Sequence, residues 1–297
     1  MNYWIIRTAF QIFSFIPLPI GRFFGKILGD IISVVPLARL KVSFKNIKKT
    51  LGRSMTDSEI CRLNRRVYEH FGQTLFELTH IFRINSRNID RYVVFEGAEN
   101  LSRAISKEKG VFLLSGHLGN WEIMTAALSI KFGGLCAVAA PQHSPTVERL
   151  IYTIRTRFGM EVIPKKNGMK RMISAIRQNR LVGILLDLNT KWDQGVFVDF
   201  LGLPSCTNKG LALIALKTDT PVIPIFAVRG EDGLYHILIG EEVKLIRTGD
   251  RTVDIEENTA LFTRIIESYI KRYPDQWLWI HKRWKTLPYC PVTFGKP

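Results

Sequence analysis

One histidine and one glutamate stand five positions apart in the stretch VFLLSGHLGNWEIM, residues 111–124. His117 can take up a proton near neutral pH, because an unperturbed imidazole titrates at about 6.5. To work as a base through one ring nitrogen it needs an acceptor on the other, typically a carboxylate. Glu122 is the local candidate. On a regular helix five residues turn through about 140°, so the two would not share a face, and pairing requires a loop at His117. The bland alternative is a polar strand end that leads into a helix, since a bare His-x4-Glu spacing arises often by chance. The neighbours favour chemistry: VFLL reads as a buried strand, Gly119 permits a turn, and Asn120 is placed to cap a helix opening near Trp121. This sets His117 at the carboxyl end of a strand, where open α/β sheets place their ligand sites.

The elements around this motif alternate. YVVFEG, GVFLLSG, LCAVAA, MEVIP and LVGILLD read as strands, and helical patterns fill the gaps between them. NKGLALIALKTD is helical, PVIPIFAVRG and YHILIGEEV are strands, and EENTALFTRIIESYIKRYP is a long terminal helix. The alternation predicts an α/β fold: a mixed, mostly parallel sheet flanked by helices. Upstream, Thr56 and Glu59 form a capping-box signature. The helix it opens runs to about Phe82, with Ile60, Leu63, Val67, Phe71, Leu75 and Leu78 as its apolar stripe.

The 297-residue chain carries 42 Lys and Arg against 26 Asp and Glu, a formal charge of +16. Its partners should therefore be anionic, a membrane surface or a nucleic acid. The 18 Phe and 6 Trp fit a lipid interface better than a solvated nucleic-acid binder. Cys61, Cys136, Cys206 and Cys290 are dispersed, with no CxxC spacing, which argues against zinc fingers and disulfide frameworks and for reduced thiols facing a cytosol. The first forty residues are apolar but interrupted by Arg7, Arg22, Lys26 and Asp30, and broken at Pro17 and Pro19. They read as an N-terminal helical membrane anchor, a helix or helical pair seated in the interface, apolar on one side and basic on the other. An ordinary amphipathic helix packed on the protein body is the alternative. The basic run RLKVSFKNIKKTLGR at 39–53 suits a headgroup layer. Residues 1–53 are thus expected to be a hydrophobic and basic membrane-seating segment, and 54–297 the catalytic domain.

Several blocks together resemble one family. GHLGNWE after an apolar strand, RTRFGMEVIPKKNGMKRMISAIRQNRLVGILLDLN, GVFVDFLGLPSCTNKGLALIALKTDTPVIPIFAVRG and YPDQWLWIHKRWKT resemble the lipid A late acyltransferases, a glycolipid branch of the lysophospholipid acyltransferase superfamily. The resemblance implies a catalytic set of His117, Glu122 and Asp187, with His117 as base and Asp187 at a second acidic position that also orients the histidine in relatives. It implies substrate contacts from Asn120 and Trp121 and from a functional arginine, Arg155 or Arg157. Leu188, Ser144 and Leu201 depart from the family pattern without removing a catalytic group.

The implied reaction is direct acyl transfer. His117 deprotonates a hydroxyl of a glycolipid acceptor, a lipid A precursor, which attacks the thioester of an acyl carrier protein or coenzyme A. Glu122, Asp187 or both hold the imidazole, and backbone amides of the 116–120 turn or a nearby arginine receive the oxyanion. No bound cofactor and no metal is expected, and Cys136 and Cys206 lack the setting of a nucleophile. The implied location is the cytoplasmic face of a bacterial inner membrane. Lys165, Lys166, Lys170 and Arg171 are either a phosphate site or a solvated basic face. Trp277, Trp279 and Trp284 with Lys282, Arg283 and Lys285 are either an interfacial belt or, for Trp277 and Trp279, core. His281 reads as structural. Other acceptors (phospholipid, ornithine lipid or a mannosylated lipid) keep the chemistry. A non-catalytic module binding anionic lipid or nucleic acid is the rival class; the His, Glu and Asp set at strand ends weighs against it, and no nucleic-acid partner is expected.

Overall fold

The computed structural model describes residues 3–35, 41–142, 144–164 and 168–288. Lys165, Lys166 and Cys290 lie outside these residues, as does Arg39 at the start of the basic run. The strands are β1 (Val93–Glu96), β2 (Val111–Ser115), β3 (Leu135–Ala139), β4 (Glu161–Pro164), β5 (Leu181–Leu185), β6 (Gly195–Phe200), β7 (Leu203–Asn208), β8 (Val222–Arg229) and β9 (Tyr235–Ile239). Among the described residues seven of them form one sheet in the order β1-β9-β8-β2-β5-β3-β4. Its pairs are parallel except β8 with β9. All five residues of β2 are buried, as a central strand covered on both faces requires.

The helices are α1 (Tyr3–Phe13), α2 (Leu18–Val34), α3 (Lys41–Leu51), α4 (Asp57–His80), α5 (Ala98–Ile105), α6 (Trp121–Phe132), α7 (Pro145–Thr156), α8 (Gly168–Arg177), α9 (Gly210–Thr218) and α10 (Arg251–Arg272). One face of the sheet is covered by α5, α6 and α7 through Leu101, Ile123, Ala127, Leu150 and Ile154. The other is covered by α3, α4, α8, α9 and α10 through Ile47, Leu63, Met172, Ile214 and Phe262. The α/β sheet flanked by helices follows the alternation in the sequence. Two local features differ. Helix α10 starts at Arg251, ahead of the apolar periodicity, because Asp250 caps it by accepting from the amides of Thr252 and Val253. Strands β6 and β7 form a separate antiparallel hairpin, turned at Leu201 (φ 53°) and Gly202 (φ 77°), two left-handed residues as a tight hairpin demands.

The amino-terminal helices dock on α4, which opens with the expected capping box: Thr56 Oγ1 accepts from the Glu59 amide and Glu59 accepts from the Thr56 amide. Gly25 and Gly29 bring α2 into backbone contact with α4, and Gly21 makes room for the Phe76 ring. A Cβ on Gly25 would stand 2.7 Å from the Gly72 carbonyl oxygen, and one on Gly29 would stand 2.2 Å from that of Tyr68. Beside this seam runs a set of ion pairs, Arg22 with Glu77, Lys26 with Glu69 and Asp30 with Arg65. The expected basic side of this segment is thus partly turned inward, onto α4. The remaining flank of α2 is apolar and exposed, with Phe23, Phe24, Ile27, Leu28 and Ile31, and α1 exposes Trp4, Ile5 and Ile12. No helix among the described residues is long and apolar enough to cross a membrane.

The apolar stripe expected on α4 holds only in its first half. Ile60, Leu63 and Val67 are buried, but Leu75 is 40% exposed, and His70, Thr74 and Glu77 occupy the interior instead. The inner face of the second half is polar because arginines from α2 and β8 meet it there.

Candidate active site

Register places the site. Ser115 of β2 pairs with Leu185 of β5, and two residues past each lie His117 and Asp187, at the same edge of adjacent parallel strands. The His117 ring Nδ1 donates to Asp187 Oδ1 at 2.8 Å, and the His117 amide donates to Oδ2, also at 2.8 Å. A third donor, the indole Nε1 of Trp277, reaches Oδ2 at 2.8 Å. Burial opposes a charge on Asp187, but the attraction of the His117 imidazole and its hydrogen bonds, with the Trp277 indole, outweigh it and hold the carboxyl far below its usual range. An ionised acceptor at Nδ1 fixes the tautomer and leaves Nε2 as the proton-accepting nitrogen.

Glu122 does not meet His117. It sits in the first turn of α6, pointing to Arg155 of α7, whose Nη2 donates to Oε1 at 2.5 Å and whose Nε donates to Oε2 at 3.0 Å. The Trp121 indole also donates to Glu122, at 3.1 Å. Burial opposes the charge on Arg155, but Glu122 more than offsets it, so the guanidinium pKa is raised. Of the two candidate arginines, Arg155 lines a cavity with His117, whereas Arg157 is exposed with its guanidinium over the Phe158 ring. Trp121 packs edge-on against the His117 ring, centroids 5.0 Å apart. Asn120 is buried: its Oδ1 caps α6 by accepting from the Ile123 amide, and its Nδ2 points at Glu77. It holds the turn and does not face the cavity.

The turn itself is tightly built. Gly119 has φ 61°, and a Cβ there would lie 1.6 Å from the Ala227 carbonyl oxygen of β8. The amide of Leu118 donates to the Gly116 carbonyl and that of Gly119 to the Gln276 carbonyl. With the His117 amide on Asp187, three backbone donors of the turn are already engaged. Those three amides are therefore not free to receive an oxyanion, whereas Arg155, the other expected donor, lines the cavity beside His117.

His117 opens onto a cavity of about 550 Å³. Its lining includes the apolar Val138, Met172, Ile184, Leu186 and Leu211 and the polar Gln142, Asn189, Asp193, Asn208 and Lys209. Lys170 and Arg171 are solvent-exposed on α8. Burial pushes the Cys136 thiol up to about 11 and raises that of Cys206, which keeps both protonated and unreactive. Among the described residues no group of His, Cys, Asp or Glu is arranged to hold a metal ion.

A model of the bacterial lipid A biosynthesis acyltransferase family matches residues 1–286 of the chain. The chain belongs to that family. It is 25% identical over 246 residues to a lipid A biosynthesis acyltransferase of Haemophilus influenzae, covering 78% of this chain and 75% of that one. It is 23% identical over 281 residues to the lipid A biosynthesis palmitoleoyltransferase of Escherichia coli, covering 92% and 87%. A phosphatidylinositol mannoside acyltransferase of Mycobacterium tuberculosis is 26% identical over 189 residues, 61% of this chain and 58% of that one. The protein is an acyltransferase.

Around the dyad of this acyltransferase lie groups that the motif does not announce. Trp277 is buried and serves the site directly, through Asp187, as well as the core. Arg283 is wholly buried and donates to the carbonyls of Leu188 and Cys206, bracing the segment just after Asp187. Burial pushes its guanidinium down to about 10. His281 is pushed down to about 4, chiefly by burial, with Asp187 opposing the shift and His117 and Arg283 adding to it. His70, Glu77, Arg229 and Tyr235 form a buried polar cluster beneath the turn. The sequence signal for that cluster is faint: polar residues on an inward helical face break an apolar period but do not produce one of their own.

Proposed function

We propose that the protein transfers a fatty acyl chain from a thioester of acyl carrier protein or coenzyme A to a hydroxyl of a glycolipid, a lipid A precursor. The observation that carries this reading is the His117–Asp187 dyad, with its second ring nitrogen free, on the wall of a cavity lined by both apolar and polar side chains. The acceptor hydroxyl gives its proton to His117 Nε2 as its oxygen bonds to the thioester carbonyl carbon. The tetrahedral adduct places negative charge on the former carbonyl oxygen, which the Arg155 guanidinium receives. Collapse breaks the carbon–sulfur bond, and the leaving thiolate takes the proton back from the imidazolium. The products are an ester and a free thiol, and no acyl-enzyme forms. Asp187 stabilises the charged imidazolium throughout. The apolar lining residues suit an acyl chain and the polar ones a sugar or phosphate.

The exposed apolar flank of α1 and α2 supports a second part of the reading: these helices lie in the membrane interface, at the cytoplasmic face of a bacterial inner membrane, without spanning it. A lipid acceptor would then be presented at the surface on which the protein rests. The match to mannoside acyltransferases favours one alternative acceptor, a mannosylated phospholipid, served by the same dyad. Mass spectrometry of total lipids from cells with and without the gene tests the acceptor: gain of one acyl group on a lipid A species supports the proposal, and an unchanged lipid A profile overturns it. Deleting residues 1–37 is expected to release the protein from membranes; sedimentation with membranes in high salt after that deletion would overturn the interfacial role.

A further inference from the structure

The hydrogen bonds beneath the catalytic turn converge on one carboxylate outside the dyad. Glu77, on the inner face of α4, is wholly buried. Its Oε1 accepts from Arg22 Nε at 2.5 Å and from Arg229 Nε at 3.0 Å. Its Oε2 accepts from Arg229 Nη2 at 2.9 Å, from the Tyr235 hydroxyl at 2.5 Å and, at the limit of reach, from Asn120 Nδ2 at 3.5 Å. These donors come from α2, β8, β9 and the turn that opens α6. One acid thus ties four parts of the chain together.

Arg229 carries the connection to the turn. Its Nη1 donates to His70 Nδ1 at 3.0 Å, and a guanidinium has no acceptor to offer, so His70 Nδ1 bears no proton. The His70 proton is then on Nε2, which lies 3.4 Å from the Gly119 carbonyl oxygen and 3.3 Å from Thr74 Oγ1. On the other side, the Arg229 amide donates to Gln276 Oε1, Gln276 Nε2 donates to the Arg229 carbonyl, and the Gln276 carbonyl accepts from the Gly119 amide. Both the carbonyl and the amide of Gly119, two residues from His117, therefore lead back to Arg229, and Arg229 is held by Glu77.

We propose that Glu77 is a positioning residue for acyl transfer: its carboxylate, shared by Arg229 and by Arg22 of the apolar helix α2, fixes the 117–120 turn and makes turnover depend on how α2 is docked. The inference rests on the reading of His117 as the base. Replacing the carboxylate by an amide keeps the shape but leaves two guanidiniums side by side without their counter-charge, so Arg229 must move. The turn moves with it, and His117 loses its aim at the acceptor hydroxyl.

The test uses the full-length purified enzyme with a long-chain acyl thioester of acyl carrier protein and a lipid A precursor. Glu77→Gln is expected to lower kcat about 10²-fold while both KM values change by less than about threefold, the pattern of a displaced reacting group. Arg22→Gln is expected to lower kcat about tenfold, and Arg22→Lys to restore most of it. NMR of the histidine rings gives a readout that simple destabilisation does not move. The resonance of the His117 Nδ1 proton, assigned by its loss in His117→Ala, should shift in folded Glu77→Gln as its hydrogen bond to Asp187 is displaced, at unchanged circular dichroism. Wild-type kcat in both Glu77→Gln and Arg22→Gln overturns the proposal, as does a loss that vanishes once rates are normalised to folded protein. If Glu77→Gln does not fold, Arg22→Gln decides alone, because it leaves Glu77, Arg229 and Tyr235 in place. Wild-type turnover in His117→Ala would instead overturn the assignment of the base, whatever the Glu77 variant does.

Discussion

Asp187 accepts from both the ring and the backbone amide of His117, at 2.8 Å each, across a sequence gap of 70 residues. The two contacts orient the ring and anchor the loop that bears it. His117→Ala is expected to lower turnover about 10²- to 10⁴-fold, the usual contribution of a general base, at unchanged folding. Steady-state rates beside a thermal melt check this, and a variant keeping half of wild-type turnover would remove His117 from the mechanism.

The two carboxylates should separate kinetically. Asp187→Asn is expected to lower kcat by at least about 10²-fold with little change in KM, because an amide cannot stabilise the imidazolium and can favour the wrong tautomer. Glu122→Gln is expected to lower kcat only about tenfold, by loosening the Arg155 guanidinium that receives the oxyanion. A kcat loss as large as that of Asp187→Asn would show that Glu122 acts on His117 after all.

The glycine seam makes a prediction about stability. Gly29→Leu puts a side chain where a Cβ alone would meet the Tyr68 carbonyl oxygen at 2.2 Å. Backbone cannot yield as a flexible side chain can, so a loss of about 1–3 kcal/mol or more is expected on chemical denaturation. Phe23→Ser, on the exposed flank of the same helix, should stay within about 0.5 kcal/mol. Equal effects would mean that α2 is not held by close contact.

Stability should fall between pH 6.5 and 5. His70 is pushed down to about 3 by burial and by Arg229, partly opposed by Glu77 and the Gly119 carbonyl. An unfolded histidine takes up its proton near pH 6.5, so below that the unfolded chain binds a proton that the native chain refuses. The sign is destabilising with acid, at up to about 1.4 kcal/mol per pH unit for this group, until the native pKa is reached. His281, pushed down to about 4, acts in the same direction. Denaturation midpoints at pH 7, 6 and 5 read the slope, and His70→Gln should flatten it. A slope unchanged in that variant would show that His70 does not carry the effect.

How much of this was legible differs residue by residue. The strand before His117, the cap at Asn120 and the helix from Trp121 follow from local pattern, because each depends on a few adjacent residues. Asp187 entered only through family resemblance, since its contact depends on the pairing of β2 with β5 and no local rule supplies that. Local spacing gave Glu122 instead, and helix geometry already weighed against it. On α4 the apolar period continued through Leu75 while the buried face did not, because Arg22 and Arg229 supply counter-charges that periodicity does not see. Arg22 reads in sequence as an interruption of an apolar run; in the fold it is an internal ion-pair partner. Gly21, Gly25 and Gly29, at four-residue spacing, carry a visible signal for close helix contact.

The register of β2 on β5 has a consequence for how such an enzyme can diversify. His117 and Asp187 are aligned by strand pairing, and Trp277 arrives from the far end of the chain to lock them, whereas much of the cavity wall comes from β3, α8, α9 and the loops around Asn189 and Asn208. Chemistry and substrate choice are therefore written in different segments. Drift in the wall can change which substrate fits without moving the dyad, and a graft of the 168–172 and 189–213 segments from a relative, which leaves Arg155 in place, would be the natural unit of exchange.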